Sequence, residues 1–316
     1  MAAPSVTTST LGDSVKTAFD QVAFFALRSQ PMFEMIADVR STAQSHNGSG
    51  VQFTFYADMA QATSALTENS DVTAVALTDS AVTVTLAEYG NAVITSAKVR
   101  GTSFLNVDAD AANIVGYNMA DSLDKIVSDV VNAGTNVDYS GGAANRGALT
   151  TGDEYTAADG RKAVAQLRSR NAPGWENNNY MGIIHPDVSY DLRSDTTVTD
   201  VIQYQVQQDG AAIRAGSIGT FNGIMYIENP RAGLIADGGS SNFDAYQTLI
   251  CGRQGAAKAF SRASGFGPDP SIVVGPVTDT LRRFNPIGWY HLVGYGIFRE
   301  DCLQRVESIS SIGANS

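Results

Sequence analysis

The chain is short of cysteine, histidine, positive charge and long apolar runs, and each shortage closes off a class of function. Two cysteines, Cys251 and Cys302, are too few and too far apart for a disulfide framework. They read as small buried hydrophobes in a reducing compartment. Three histidines, His46, His185 and His291, are scattered, and none lies at zinc-ligand spacing from another or from a cysteine. With 21 Lys and Arg against 32 Asp and Glu, the net charge is −11. That balance lacks the basic stripe with which proteins neutralise nucleic-acid phosphates. The short basic groups, Arg161-Lys162, Arg168 with Arg170, and Arg282-Arg283, read as solvated faces or protein contacts. No window approaches the ~18 consecutive apolar residues of a membrane span. The opening Met1-Ala2-Ala3-Pro4 lacks the basic and apolar regions of a signal peptide. A phosphate-binding loop and a Gly-x-Ser-x-Gly elbow are both missing. Gly216 to Gly223 has the wrong glycine spacing for a dinucleotide site and precedes a strand instead of a helix, so it reads as tight turns.

The sharpest local shortage runs from Val51 to Ala97, which holds no lysine or arginine but carries Asp58, Glu68, Asp71, Asp79 and Glu88. Much of it alternates with period two. Val51, Phe53 and Phe55 oppose Gln52, Thr54 and Tyr56, and Val82, Val84 and Leu86 oppose Thr83, Thr85 and Ala87. This predicts a long β-ribbon from Val51 to about Arg100. A two-stranded ribbon alone is marginal in water, so its apolar face needs cover from elsewhere in the chain or from another copy. Its unpaired acids call for basic partners.

With 316 residues, 43% hydrophobic and 17% charged, the chain is long enough for two subdomains. Before the ribbon, Phe19 to Leu27 and Met32 to Val39 fall at helical spacing, and the arm ends in the turn cluster His46 to Gly50. After it, Ala112, Val115, Met119, Leu123, Ile126, Val127 and Val130 mark a long amphipathic helix of roughly 40 Å. Asp108 or Asp110 caps that helix and Gly134 stops it; caps, and not metal ligands, are the simpler role for the two carboxylates. Thr156 to Asp159 reads as a capping box for a helix that ends near Asn171, ahead of Pro173. Strands are expected at Tyr180–His185, Ile224–Glu228 and Gln247–Cys251, with a short helix from Pro186. Residues 197–208 carry no clear pattern. Ile272 to Val277 is apolar, and Ile287 to Ile297 alternates along one long strand, with Leu303 to Ile309 pairing back on it. Trp175 and Trp289 read as core or interface anchors.

This order of parts resembles the Hong Kong 97-like shell fold of tailed-phage major capsid proteins, and within them the N4-like family. The resemblance is carried by Leu66-Thr67-Glu68, Glu88-Tyr89-Gly90, Gly216 and Gly219 to Gly223 before Ile224, Asp279 to Arg283, Ile287-Gly288-Trp289, and Gly294 with Gly296. It implies an α+β fold: an N-terminal arm over 1–47, an extended loop (the β-ribbon) over 48–101, the spine helix and peripheral domain over 102–150, an axial domain over 151–269, and closing strands of the peripheral domain over 270–316. It also implies a non-enzymatic shell protein that assembles with its own copies as hexamers and pentamers. Such a protein meets a portal and scaffold or cement proteins, and encloses double-stranded DNA without sequence-specific binding. It needs no cofactor and no metal, touches no membrane, and resides in the virion after assembly in the host bacterial cytoplasm. The ribbon has no lysine for the isopeptide cross-link of some relatives, and the short segment before it predicts that any scaffold is a separate protein. The candidate inter-subunit residues are Glu68 and Glu88, opposite Arg282 and Arg283 of a neighbour. Three other readings remain open at this point. They are an encapsulin-like bacterial nanocompartment, a hydrolase using His185 or His291, and a surface or tail β-protein.

Overall fold

The chain is described from a computed structural model that covers residues 31–40, 50–103, 105–195, 220–260, 269–275, 279–281 and 283–312. In its first half the elements are β1 (Ala37–Arg40), β2 (Gly50–Tyr56), β3 (Asp79–Thr85), β4 (Ala87–Ser96), α1 (Ala97–Thr102), α2 (Val107–Asn132), β5 (Val137–Tyr139) and α3 (Ala157–Ser169). Then follow β6 (Tyr180–Ile184), α4 (Pro186–Ser194), β7 (Thr220–Phe221), β8 (Ile224–Glu228), β9 (Gly233–Ile235) and β10 (Ala245–Cys251). The last are β11 (Ala256–Phe260), β12 (Ser271–Val274), β13 (Phe284–Ile297) and β14 (Leu303–Ser308). The predicted arm helix over Phe19–Leu27, the turn at His46–Ser49, residues 197–208 and Gly216–Gly219 lie outside the described residues.

Two compact units result; the smaller contains residues 91–118 and 272–289. The larger is built on a mixed seven-stranded sheet in the order β5-β14-β10-β6-β8-β7, with β9 also on β10. Strands β6 and β10 are buried along their whole length, and period two divides their side chains between two cores. Tyr180, Ile184, Tyr246, Ile250 and Val306 face α3 and α4, where they meet Val164, Leu167, Val188 and Leu192. Met181, Ile183, Leu249, Cys251 and Leu303 face the other way, onto Val127 and Val131 of α2 and onto Phe33 and Ile36. Each fully buried Leu, Ile or Val contributes ~1.5–3 kcal/mol. Both cysteines are buried and unpaired, as expected.

Local signals set the helix ends. Thr156 and Asp159 form the capping box of α3, and the chain leaves that helix through Asn171 at φ 56°, two residues before Pro173. Pro186 occupies the first turn of α4 and the His185 side chain caps it. The two-residue hairpin between β7 and β8 is Asn222-Gly223, at φ 52° and 80°, a turn that favours Asn-Gly because both residues are left-handed. The described end of the Gly216–Gly223 segment is therefore the tight turn its spacing predicts.

Five expectations change. Met32–Val39 is not helical: a 3₁₀ turn over Phe33–Ile36 leads into β1, which runs parallel to β11. The buried Asp124 carboxylate takes the Phe33 N–H, and Phe33 and Ile36 fill the core, so the chain is fed straight to a sheet edge. The ribbon does not reach Arg100. Its pairing ends at Gly50↔Thr85, β4 leaves to pair with β13, and the Ser96 hydroxyl then caps α1. Strand β14 does not fold back on β13; a 3₁₀ turn over Glu300–Cys302 redirects it to lie between β10 and β5. In α2, Ala111 and Val131 are buried where Ala112 and Val130 are expected, which leaves Ala112 exposed.

Gly134 has no left-handed φ, and the end of α2 is instead closed by side chains from β14 and the turn before it. Arg305 donates to the carbonyls of Asn132 and Gly134, placing a cation at the negative end of the helix dipole. Its Nε also donates to Glu307, at 2.9 Å. The fully buried Glu307 side chain receives Arg146 in a two-point grip, both contacts 2.7 Å, and Gln247 at 3.1 Å. Burial alone would raise the Glu307 pKa, but hydrogen bonds from Arg146 and Gln247 and the charges of Arg146 and Arg305 outweigh it and hold it below the ordinary 4.5. A depressed carboxylate stabilises the fold above its unfolded pKa and loses that contribution as pH falls through the folded value. Subunit stability is therefore expected to drop as pH falls below 4.5. Glu307→Gln should cost ~3 kcal/mol at neutral pH, because the buried Arg305 guanidinium loses its anion, with a smaller part from the partly exposed Arg146. It should also flatten the acid limb. Denaturant unfolding of the unassembled subunit across pH reads both effects, and an unaltered acid limb in the variant would exclude this role.

Candidate functional site

In the larger unit the ribbon has two zones with different surroundings. At its base, β2 and β3 pair antiparallel from Gly50↔Thr85 to Tyr56↔Asp79. Val51 and Val84 are buried against Ala259 of β11, with Phe53 and Leu86 packed around them. These are the residues that the alternation places on one face. Strand β3 passes across β13 at two glycines. A β carbon at position 294 would lie 2.3 Å from the Thr85 carbonyl oxygen, and one at 296 would lie 2.8 Å from Val84 Cγ2. Phe298 then meets the rings of Phe53 and Phe55 at 5.4 and 4.7 Å, and the Arg299 guanidinium lies 5.3 Å from the centre of Phe55. The base of the ribbon is thus covered by its own chain.

Beyond Tyr56 that cover stops. Every residue from 57 to 78 is exposed. Among the described backbone contacts, the Ala57 N–H to Thr78 carbonyl bond closes the paired zone, and the Ser70 N–H to Thr67 carbonyl bond forms the bend. Met59, Leu66, Val72, Val75 and Leu77 are each at least 59% exposed. Asp58, Glu68 and Asp71 stand among them, with no cation in the same stretch. A run of exposed apolar side chains with charge of one sign is a recognition surface, and its complement is apolar and basic.

The candidate interface residues fall in different settings. Glu68 sits in the exposed bend between Thr67 and Ser70. Glu88 is exposed on β4 and hydrogen-bonds with the Tyr290 hydroxyl, whose pKa is raised by local desolvation and by that carboxylate. Arg283, in the smaller unit, is paired with Asp279 at 3.0 Å and lies 5.4 Å from the centre of the Phe284 ring. Arg282 lies outside the described residues. The structure does not join any of these acids to Arg283 within one chain's described ion pairs. Sequence pattern misses Arg299 and Phe298, whose only signal is their place just after the closing strand.

Within the smaller unit, the Trp289 indole donates to Asn118 at 3.0 Å and the Thr95 hydroxyl donates to Asp108 at 2.7 Å. Asp108 also lies 3.7 Å from Arg100. The carboxylate in the first turn of α2 therefore ties that helix to β4 and α1. This unit exposes Val93, Ile94, Val99, Ile272, Val273, Val274, Leu281 and Phe284.

The histidines have structural settings. His185 Nδ1 accepts the Asp187 N–H at 3.3 Å, and its ring lies 5.0 Å from that of Tyr246. His291 is buried on β13, where its Nε2 has no partner among the described residues. Near it, Glu34 takes both Lys258 and the Tyr295 hydroxyl. Both imidazoles are pushed below the usual 6.5 by burial, and His291 further by the Lys258 charge. His185 thus serves α4 as a cap acceptor, and His291 belongs to the buried face of β13. A cavity of about 450 Å³ beside the end of α2 is lined by Lys125, Arg146 and Arg231, but each cation is already paired, to Asp129, to Glu307 and to Asp121 with Asp124. Among the described residues no three potential ligands could hold a metal ion, and no helix is long and apolar enough to cross a membrane.

Comparison with known proteins identifies the family. A sequence model of the family described as phage capsid protein matches residues 8–303. No curated protein matches the chain by sequence. Among solved structures, the capsid of Ralstonia phage GP4 is similar with a TM-score of 0.74 at 13% identity, over 98% of this chain and 99% of that one. The capsid of cyanophage P-SCSP1u gives 0.71 at 16% identity, over 95% and 94%. The capsid of Helicobacter pylori bacteriophage KHP30 gives 0.71 at 13%, over 98% and 99%. The α+β architecture is the Hong Kong 97-like shell fold.

Two measurements probe these settings. Gly294→Ala should destabilise the subunit by ~1–3 kcal/mol, because the added methyl displaces the ribbon base. Chymotrypsin should then cut faster at Phe53 and Phe55, and unchanged melting and cleavage would remove the glycine's docking role. His185→Asn keeps a good helix cap without a titrating ring. In the native chain, stability falls as pH drops below 6.5, because the unfolded imidazole takes a proton that the folded one refuses. The variant should lose that part of the decline in a pH series of melting temperatures.

Proposed function

The chain belongs to the phage capsid protein family, and from that premise we propose that each copy lends the tip of its ribbon to the next, so that closed shells grow from head-to-tail contacts. The protein is the major capsid protein of a tailed phage, a structural, non-enzymatic subunit of the virion shell that associates with its own copies. The observation that carries the proposal is the contrast between a ribbon base packed at home and 22 residues, 57 to 78, exposed beyond it. A surface offered to a neighbour while the same chain receives another generates rings when the rotation closes. Hexamers and pentamers are the rings proposed here, with a portal and separate scaffold or cement proteins as further partners. Assembly takes place in the host bacterial cytoplasm, and the icosahedral shell encloses double-stranded DNA. An acidic wall suits that cargo, since weak contact with the genome permits packing and release.

Within the family we place the chain nearest the N4-like members, on the order and spacing of Glu88-Tyr89-Gly90, Asp279 to Arg283 and the Gly294, Gly296 pair. The proposed division is an arm over 1–47, the extended loop over 48–101, the spine helix and peripheral domain over 102–150, the axial domain over 151–269 and closing peripheral strands over 270–316. Family membership favours this reading over an enzyme-filled nanocompartment, and the settings of His185 and His291 disfavour a hydrolase.

At the contact, Glu68 and Glu88 of one copy face Arg282 and Arg283 of its neighbour. Each such surface ion pair contributes ~0.2–1 kcal/mol, which matters because every copy repeats it. Glu68→Lys and Glu88→Lys should each lower the yield of closed particles seen by negative-stain microscopy while leaving the melting of the unassembled subunit unchanged. Normal yields from both would reject this pairing.

A further inference from the structure

The sheet of the larger unit has two ends of opposite charge. At one end lie the start of β6, the Asn222-Gly223 turn, the β10–β11 turn and the start of β14. Arginines gather there. Arg168, near the end of α3, is exposed, and a β carbon at 223 would lie 3.1 Å from its guanidinium. Arg170 donates to the Leu303 carbonyl at 3.4 Å and to the Gln304 side chain. The Arg253 N–H is bound by the Pro173 carbonyl, and its exposed guanidinium lies 6.0 Å from the centre of the Trp175 ring. Arg299, over Phe55, adjoins the same turn, because the Phe298 N–H binds the Gly255 carbonyl. None of these arginines belongs to an ion pair among the described residues. The acids beside them in the chain are Glu176, Glu300 and Asp301, and Glu300 is taken by the Thr135 and Asn136 N–H groups.

At the other end, where β6 and β8 finish and β10 begins, the charge reverses. An open cavity of about 420 Å³ is lined by Glu154, Asp191 and Asp195 and, among the described residues, by no lysine or arginine. Glu154 accepts the Gly152 N–H at 3.3 Å and Asp191 the Ser311 N–H at 3.0 Å, so neutral donors hold both carboxylates in place. Arg193, on α4, is paired to Glu228. Helix α3 joins the two ends. Its N-terminus lies at the acids and its C-terminus at the arginines, as its dipole favours. Its 13 residues span ~20 Å, so the two ends cannot meet within one copy.

We infer that the arginine end of one copy seats in the acid-lined cavity of a second copy, a head-to-tail contact separate from the ribbon. This rests on the self-association stated above and adds a second joint to it. Guanidinium forks match carboxylates in two-point contacts, and Trp175 beside Arg253 holds one fork in advance. Opposite ends of one body, repeated copy to copy, close into a ring when the rotation allows. The arginines ring one turn instead of forming a stripe, which suits a carboxylate cluster better than the phosphate row of DNA.

The test uses the full-length chain. Arg168→Glu with Arg253→Glu, and separately Glu154→Lys, should each cost closed particles in negative-stain micrographs while the unassembled subunit melts as wild type does. All three changes in one chain put opposite charges back across the contact and should recover particles. Normal particles from both parents, or no recovery in a combined chain that melts normally, would overturn the inference and leave the shell function standing. Arg253→Cys with Ser194→Cys, at the cavity rim, reads the contact directly. Assembled and mildly oxidised, this pair should give a reducible ladder of multimers on a non-reducing gel, with wild type, whose cysteines are buried, as the background. A ladder from Arg253→Cys alone would mean that two arginine ends meet, and its absence from the pair would mean that the two ends stay apart; either overturns the inference. So would duplex DNA that binds the unassembled wild-type subunit but not Arg168→Glu with Arg253→Glu, since this end would then serve nucleic acid. Failure of the wild-type chain to form closed particles would instead remove the self-association on which this rests.

Discussion

The close approach of the ribbon base to the closing strand is the constraint on which the rest depends. Thr85 and Val84 sit where β carbons at 294 and 296 would be, so the contact exists only while both positions are glycine. Val51, Val84 and Ala259 then exclude water, and Phe298 seals the far side with Phe53 and Phe55. Without that seat a two-stranded ribbon is marginal, and an exposed acidic tip would have no fixed root. Strand β13 thereby does two things with one stretch of chain. It carries core residues such as Val293, and its glycines make a shallow bed for a second layer.

A buried ionic knot plays the matching part elsewhere in the larger unit. Glu307 gathers Arg146, Arg305 and Gln247, and Arg305 in turn closes the end of α2. Such a knot adds little net stability over apolar packing, but losing one partner is costly. Its value is geometric: it fixes the helix end against β14, and so fixes where the two cores sit on either side of the sheet.

Much of this was legible in the residue pattern, and the reasons are specific. Val51, Phe53 and Phe55 alternate because one face of the ribbon is packed, and Thr156, Asp159 and Pro173 bracket α3 by local chemistry alone. The pairing of β14 was not legible, since Leu303 to Ile309 suits any neighbour and only the turn at Glu300–Cys302 decides. Met32 to Val39 misled because Phe33 and Ile36 point inward with either a helix or a tight turn, and the Asp124 carboxylate that selects the turn is 91 positions away. Periodicity shows that the ribbon needs cover, but not that its two zones differ. That difference depends on Gly294 and Gly296, which read as a pattern until the strand above them is seen. The same holds for the candidate interface: Glu68 and its neighbours were visible as unpaired charge, whereas Phe298 and Arg299 gain meaning only from Phe55 beside them.

A strip clamped at one end and unsupported along the rest behaves as a cantilever. At ~3.3 Å per residue, a limb of about ten residues reaches ~30 Å from its clamp. A tilt of a few degrees at the Val51–Val84 root therefore becomes a displacement of ångströms at the bend. Under the proposed ribbon exchange, one sequence could in this way bridge neighbours set at somewhat different angles, with the adjustment made at the root. Curvature in the assembled lattice would then be set where the ribbon base crosses Gly294 and Gly296.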